Sequence, residues 1–180
     1  MYNFVTLNGF YKGLQGDISW ARHNDPEAHD FAVENSKSDS IILFGRVTYQ
    51  MMAGFWPSPM ALENDPVMAK SMNESEKIVF SRTLEKAAWN NTTLINADVV
   101  EEVKKLKQMP GKDLVILGSG SLVSQLAQHG LIDEYQYMVY PVAIGDGTTI
   151  FKGISGKLNL KLTNTRALKS GAVLLCYQPA

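Results

Sequence analysis

Short apolar runs alternate with helix-like patterns over most of the chain. The runs typical of buried strands cover residues 2–5, 40–44, 77–80, 92–95, 114–117 and 135–142. Between them, apolar residues recur at helical spacing, as in Val99, Val103 and Leu106 after the capping pair Asp98 and Glu101. Strands that alternate with helices predict a mostly parallel sheet with helices on both of its faces.

The pattern changes at the two ends of this alternation. Leucines at 158, 160 and 162 alternate with polar residues, and Ser170 and Gly171 precede an apolar run at 172–177, which predicts an antiparallel hairpin. Residues 54–73 contain three prolines and are expected to be irregular. The predicted fold class is α/β, a three-layer α/β/α arrangement with a mixed, mostly parallel central sheet and a C-terminal antiparallel hairpin.

Three segments rich in Gly, Ser, Thr and Arg follow predicted strands. They contain Gly45, Arg46 and Thr48, then Ser81, Arg82 and Thr83, and finally Gly118, Ser119, Gly120, Ser121 and Leu122. Because the carboxyl ends of parallel strands share one sheet edge, we expect the segments to lie together there and to bind a ligand with several phosphates. For the glycines the alternative is a plain chain turn, and for each arginine a solvated surface residue or a helix-end salt bridge.

Composition limits the possible partners. The chain has 180 residues, 45% of them hydrophobic, which predicts a single domain spanning 1–180. Its net charge of −1 argues against a nucleic-acid-binding protein. No stretch approaches the ~18 apolar residues of a membrane span, so no membrane partner is expected. We expect a cytoplasmic location. A single cysteine, Cys176, excludes disulfides within the chain, and the three scattered histidines suggest no metal site.

Motifs in a fixed order carry a family resemblance. Gly45-Arg46-x-Thr48-Tyr49, Ser81-Arg82-Thr83-Leu84, Gly118-Ser119-Gly120, Gly130-Leu131-Ile132-Asp133-Glu134, Pro141 and Gly145-Asp146-Gly147 follow one another along nearly the whole chain. In this order they resemble the dihydrofolate-reductase-like family. The closer resemblance is to the C-terminal reductase domain of the riboflavin-biosynthesis bifunctional deaminase-reductase and its stand-alone relatives.

The resemblance implies an enzyme, a homodimeric NADPH-dependent reductase. Its hydride would go to a small heterocyclic molecule of the pyrimidine or pteridine type, as in 5-amino-6-(5-phosphoribosylamino)uracil reductase or dihydrofolate reductase. By motif position, Arg46 and Thr48 would meet the adenosine-side phosphates, and Ser81 and Arg82 the 2′-phosphate. The segment from Gly118 to Ser121 would meet the pyrophosphate.

On the substrate side, the resemblance points to a carboxylate after a tryptophan-containing loop. Asp25 stands five residues after Trp20, and Asp17 and Glu27 are its nearby competitors. We take Asp25 and Asp17 as candidate catalytic residues, although Asn24-Asp25-Pro26 also reads as a helix start in which Asp25 is only a cap. Two alternatives remain open for the protein: a non-catalytic nucleotide-binding protein and a flavin-dependent enzyme.

Overall fold

The computed structural model describes residues 1–21, 25–36 and 38–180. Asn24 of the predicted helix start lies outside these residues. The strands are β1 (Tyr2–Thr6), β2 (Phe10–Gly13), β3 (Ser40–Gly45), β4 (Glu76–Phe80), β5 (Thr92–Ile95), β6 (Asp113–Ile116), β7 (Tyr135–Tyr140), β8 (Gly147–Thr149), β9 (Leu160–Ala167) and β10 (Val173–Pro179). The helices are α1 (Pro26–Ser36), α2 (Arg46–Phe55), α3 (Pro59–Asn64), α4 (Pro66–Glu74), α5 (Val99–Gln108) and α6 (Gly120–Gln128).

One compact unit, Asp30–Ser119, contains a four-stranded parallel sheet in the order β5-β4-β3-β6. We call it the parallel-sheet unit. Its central strands are apolar runs because both faces are covered, and Phe44 and Val79 are fully buried. The core against which α2 and α4 pack consists of Ile42, Phe44, Tyr49, Met68, Met72, Val79 and Trp89.

The expectation of irregular structure over residues 54–73 is wrong. The end of α2, then α3 and α4, occupy most of this segment. Pro59 and Pro66 stand at the first helical positions, where a missing N–H costs nothing. Ser58 and Asp65 cap the two helices by accepting from the N–H groups of residues 61 and 68, at 3.2 and 3.1 Å. Here the prolines start helices rather than interrupt them.

The second compact unit, Met1–His29 with Gly120–Ala180, contains a mixed sheet in the order β1-β7-β10-β9. We call it the mixed-sheet unit. β1 pairs with β7 in parallel, and the β9–β10 hairpin is antiparallel, as predicted. Gly171 takes φ 88° in the hairpin turn, a conformation that favours glycine. The chain is therefore α/β, with a parallel sheet and antiparallel strands, as the sequence pattern predicted.

No helix in residues 1–21, 25–36 or 38–180 is both long and apolar enough to cross a membrane. Cys176 is buried in β10, and its burial raises the pKa of the thiol.

Candidate functional site

The carboxyl edge of the parallel sheet brings the predicted strand-end segments of that unit together. The register sets Gly45 opposite Phe80 and Leu43 opposite Ile116, so the chain leaves β3, β4 and β6 at one edge. Gly45, Ser81 and Gly118 follow or end these strands. Their shared edge is the place where open parallel sheets bind ligands.

Hydrogen bonds join the segments after β3 and β6. The Gly45 N–H donates to Ser119 Oγ at 2.9 Å, and the Ser119 N–H donates to Thr48 Oγ1 at 3.2 Å. Gly118 and Ser119 take φ values of 61° and 51°, which directs successive backbone groups into a tight turn. A Cβ added at Gly118 would lie 3.2 Å from Thr48 Cγ2, which is a tight contact, and the positive φ would strain any side chain there. Both hydroxyls accept these bonds and keep their own hydrogens for donation.

The two helices that follow strands β3 and β5 present opposite charges at their first turns. Asp98 caps α5 by accepting from the N–H groups of Val100 and Glu101, at 3.0 and 3.1 Å, and Glu101 and Glu102 add negative charge there. By contrast, α2 begins at Arg46 after Gly45, with no side-chain cap and no acidic residue in its first turn. An anion is therefore favoured at α2 and disfavoured at α5.

The segment after β4 is a turn held by its own serine. Ser81 Oγ accepts from the N–H groups of Thr83 and Leu84, at 3.2 and 2.9 Å. Arg82 lies exposed on this turn and, among the residues that the structure describes, makes no hydrogen bond or ion pair. Arg46 is exposed too, and its Nη1 donates to Gln50 Oε1 at 3.0 Å. Arg82 is thus a guanidinium available to an anionic ligand.

The remaining predicted residues, Gly120, Ser121 and Leu122, begin α6 in the mixed-sheet unit. A Cβ on Gly120 would lie 2.7 Å from the Tyr11 ring, so any larger residue would require Tyr11 to shift. Ser121 is exposed, whereas the Leu122 side chain is 3% exposed and packs in the core. Leu122 can therefore offer a ligand only its backbone.

Asp25 is buried in the mixed-sheet unit, with 4% of its surface exposed. Its Oδ1 accepts from the N–H groups of Glu27 and Ala28, both at 3.2 Å, which confirms the cap role at the start of α1. Its Oδ2 accepts from the hydroxyl of Ser170 in the β9–β10 turn. All three partners are donors, a set that suits the ionised carboxylate.

Tyr2 and Tyr140 interact electrostatically with this carboxylate. Tyr140 packs edge-on against Trp20, with ring centroids 6.1 Å apart, and against Phe4 at 5.6 Å. Burial, with a smaller contribution from Asp25, raises the pKa of Tyr140 to about 12. Burial followed by the charges of Tyr140 and Asp25 also raises the pKa of Tyr2. Trp20 Nε1 is buried and has no hydrogen-bond partner in the described part of the chain.

The competing carboxylates lie in different surroundings. Asp17 is exposed, and the Ser19 N–H, which donates to its Oδ1 at 2.9 Å, lowers its pKa. Glu27 accepts from the Lys169 N–H at 2.7 Å and lies 3.6 Å from Arg166 Nη2. Of the three carboxylates, Asp25 is the buried one. Within the described ranges, no group of three His, Cys, Asp or Glu side chains is placed to hold a metal ion.

Sequence reasoning missed Ser170 and Tyr140 as neighbours of Asp25. Ser170 stands 145 positions from Asp25, and its only local signal was a turn before Gly171. Tyr140 belonged to an apolar strand in which nothing distinguished it from core residues.

Known proteins match the chain in sequence and in fold. The uncharacterized protein YyaP of Bacillus subtilis (strain 168) is 34% identical over 173 residues, which cover 96% of this chain and 90% of the relative. A solved structure from Shewanella sp. PV-4, whose name assigns it provisionally to riboflavin biosynthesis, covers 99% of this chain and 97% of its own, with 17% identity and a TM-score of 0.76. Dihydrofolate reductase from Enterococcus faecalis, solved with NADP(H) and RAB-propyl, covers 99% and 94%, with 14% identity and a TM-score of 0.66.

These structures show the dihydrofolate-reductase-like fold that the motif order predicted. The family model of the RibD C-terminal domain matches residues 1–174. The chain therefore belongs to the RibD C-terminal domain family.

Proposed function

We propose that the protein is an NADPH-dependent reductase acting on a small pyrimidine- or pteridine-type heterocycle. The observation that carries this proposal is the carboxyl edge of the parallel sheet. There an uncapped helix start, a left-handed glycine-serine turn and two exposed arginines follow neighbouring strands. Backbone N–H groups, hydroxyl hydrogens and guanidinium groups are the donors that phosphates require.

The residues at this edge fit a nicotinamide cofactor with a 2′-phosphate. The first turn of α2 and the hydroxyls of Thr48 and Ser119 would donate to phosphate oxygens. Arg82, on the turn held by Ser81, would bind the 2′-phosphate and thereby select NADPH over NADH. When bound, NADPH supplies the hydride. Membership of the RibD C-terminal domain family and the NADP(H) bound to the E. faecalis enzyme support this assignment.

On the substrate side, Asp25 is proposed to bind the N–H edge of the heterocycle. An ionised carboxylate offers about four acceptor positions, and donors from the described residues occupy three at Asp25. The position left over can accept from a ring N–H or an amino group. Asp25 is buried, and the low local dielectric of a buried position strengthens such a hydrogen bond. Trp20, whose ring packs against that of Tyr140, carries a further buried donor at Nε1.

The first experiment is a titration of the purified protein with NADPH and with NADH, followed by nicotinamide fluorescence. We expect selective binding of NADPH, and then oxidation of the bound cofactor in a screen that begins with dihydropterins and aminopyrimidine ribityl compounds. Failure to bind either cofactor would end the reductase assignment. Selective binding of NADPH without turnover of any heterocycle would favour the alternative of a non-catalytic nucleotide-binding protein. A yellow colour of the purified protein would favour the alternative of a flavin-dependent enzyme.

The family resemblance also leads us to propose a homodimer. Sedimentation equilibrium tests it, and a concentration-independent monomer mass would refute it.

A further inference from the structure

The turn between β9 and β10 donates a hydrogen bond to Oδ2 of Asp25, the carboxylate oxygen that does not cap the helix. A helix N-cap needs one acceptor atom, and Oδ1 alone accepts from the N–H groups of Glu27 and Ala28. Oδ2 instead accepts from Ser170, a residue of a different element. Two elements of the mixed-sheet unit therefore fix the two oxygens of one carboxylate. Its plane cannot rotate while both sets of bonds persist.

Ser170 is oriented for this contact by its own turn. The Ala172 N–H donates to Ser170 Oγ at 3.2 Å, which leaves the hydroxyl hydrogen to donate to Asp25. The Leu168 N–H donates to the Ala172 carbonyl at 2.8 Å and closes the turn around Gly171. The hydroxyl is thus held at a defined place before any ligand arrives.

A second contact holds the same turn without Ser170. Glu27 Oε2 accepts from the Lys169 N–H at 2.7 Å, and Glu27 Oε1 lies 3.6 Å from Arg166 Nη2 on β9. The turn can consequently remain on the first turn of α1 when the Ser170 hydroxyl is removed. The contribution of this hydroxyl to Asp25 can therefore be tested separately from the docking of the turn.

We infer that Ser170 is a positioning residue for Asp25. By fixing Oδ2, Ser170 keeps the remaining acceptor position of the carboxylate in the orientation that receives the N–H edge of the heterocycle. This inference rests on the proposed function, in which Asp25 binds that edge. Ser170 itself need not touch the substrate.

The test compares the wild-type protein with Ser170→Ala, Ser170→Thr and Asp25→Asn. The probe is 2,4-diaminopyrimidine, whose amino groups can donate to a carboxylate, and calorimetry measures its binding in the presence of NADPH. We expect Ser170→Ala to weaken probe binding about tenfold, the size of one lost hydrogen bond to a charged group, and Ser170→Thr to restore it. NADPH affinity should stay near wild type in Ser170→Ala, and the melting temperature should fall because a buried carboxylate oxygen loses its donor. Asp25→Asn should abolish probe binding.

Carbon-13 NMR of aspartate-labelled protein adds a readout that does not depend on binding. The carboxyl resonance of Asp25, identified by its loss in Asp25→Asn, should move in Ser170→Ala and return in Ser170→Thr. Ser38→Ala, which removes an exposed hydroxyl, controls for nonspecific effects. An unmoved resonance in Ser170→Ala, or probe affinity equal to wild type while Asp25→Asn binds none, overturns the inference and leaves the proposed function standing. Wild-type protein that binds NADPH but not the probe refutes the proposed role of Asp25 and the inference with it.

Discussion

Among the residues that the structure describes, each unit of the molecule buries one carboxylate or ammonium side chain, and the two differ in how completely the protein satisfies them. In the parallel-sheet unit, Lys77 is 1% exposed, and its Nζ donates to three backbone carbonyls, those of Met72, Asn73 and Ser75, at 2.9, 3.3 and 2.6 Å. Three donors meet three acceptors, so the ammonium has no capacity left for a ligand. The Trp89 ring lies over it, with the centroid 4.4 Å from Nζ.

Asp25, in the mixed-sheet unit, has one acceptor position more than the described part of the chain fills. Burial of a polar group is costly, so a saturated group belongs to the structure, whereas an incompletely satisfied one points to a ligand. The comparison teaches that burial alone does not identify a site: the count of unused donors or acceptors does. By this criterion Lys77 stabilises the fold and Asp25 is the candidate for substrate recognition.

The largest effect is expected for Asp25→Asn. Asparagine caps a helix as well as aspartate, so the free energy of unfolding should change by less than about 1 kcal/mol. The negative charge is lost, and we expect turnover to fall about 100-fold or more. Steady-state rates measured beside urea unfolding curves check both quantities. If turnover stays near wild type, Asp25 is only a helix cap, like Asp98 in the other unit.

Arg82→Ala tests the parallel-sheet edge. Loss of a charge-assisted hydrogen bond to the 2′-phosphate should reduce the preference for NADPH over NADH by about 1.5–3 kcal/mol. Dissociation constants for both cofactors give the preference directly. Lys86→Ala, which removes another exposed cation from the same loop, is the matched control and should leave the preference unchanged. Equal losses in the two variants would indicate a general charge effect instead of a specific contact.

Lys77→Met tests the buried side chain to which the comparison assigns a structural role, and it should destabilise the fold. The variant leaves buried carbonyls without a donor, and we expect a loss of about 1–3 kcal/mol in the free energy of unfolding. Urea unfolding at pH 7 measures this loss, and NADPH selectivity should not change. A variant as stable as wild type would show that the three carbonyls find other donors.

The same variant tests how the free energy of unfolding depends on pH. Burial lowers the pKa of Lys77 from 10.5 to about 8. Between these two values the unfolded chain binds the proton and the folded chain does not, so the Lys77 contribution to the free energy of unfolding rises with pH there. It is fully present above about pH 10.5 and is lost as the pH falls through about 8. The stability difference between wild type and Lys77→Met should therefore grow from pH 7 to pH 10.

Local signals account for what the sequence predicted correctly. Apolar runs identified the strands of the parallel sheet, and Asp98 before Glu101 identified the start of α5, because both features depend on neighbouring residues. Parallel pairing then placed Gly45, Ser81 and Gly118 at one edge.

Contacts between distant parts of the chain could not be predicted in this way. Lys77 looked like the polar first residue of a strand, yet it caps the carbonyls that end α4. Ser170 was predicted only as a turn residue, whereas in the structure its hydroxyl donates a hydrogen bond to Asp25. The prolines at the first positions of α3 and α4 led to the wrong prediction for a different reason, because the same residue starts or breaks a helix depending on the cap that precedes it.

The smallest effect is expected for Asp17→Asn, which completes the comparison of buried and exposed carboxylates. Asp17 is solvated, and the Ser19 N–H that lowers its pKa belongs to its own turn. Asparagine keeps an acceptor for this N–H, so the free energy of unfolding should change by no more than about 0.5 kcal/mol. Turnover should stay within about twofold of wild type, since an exposed charge is screened by water and salt. Parallel turnover assays of Asp17→Asn and Asp25→Asn decide between the two candidate residues. A large loss of turnover in Asp17→Asn with none in Asp25→Asn would make Asp17 the catalytic residue. It would also show that the number of unfilled acceptor positions does not identify the site.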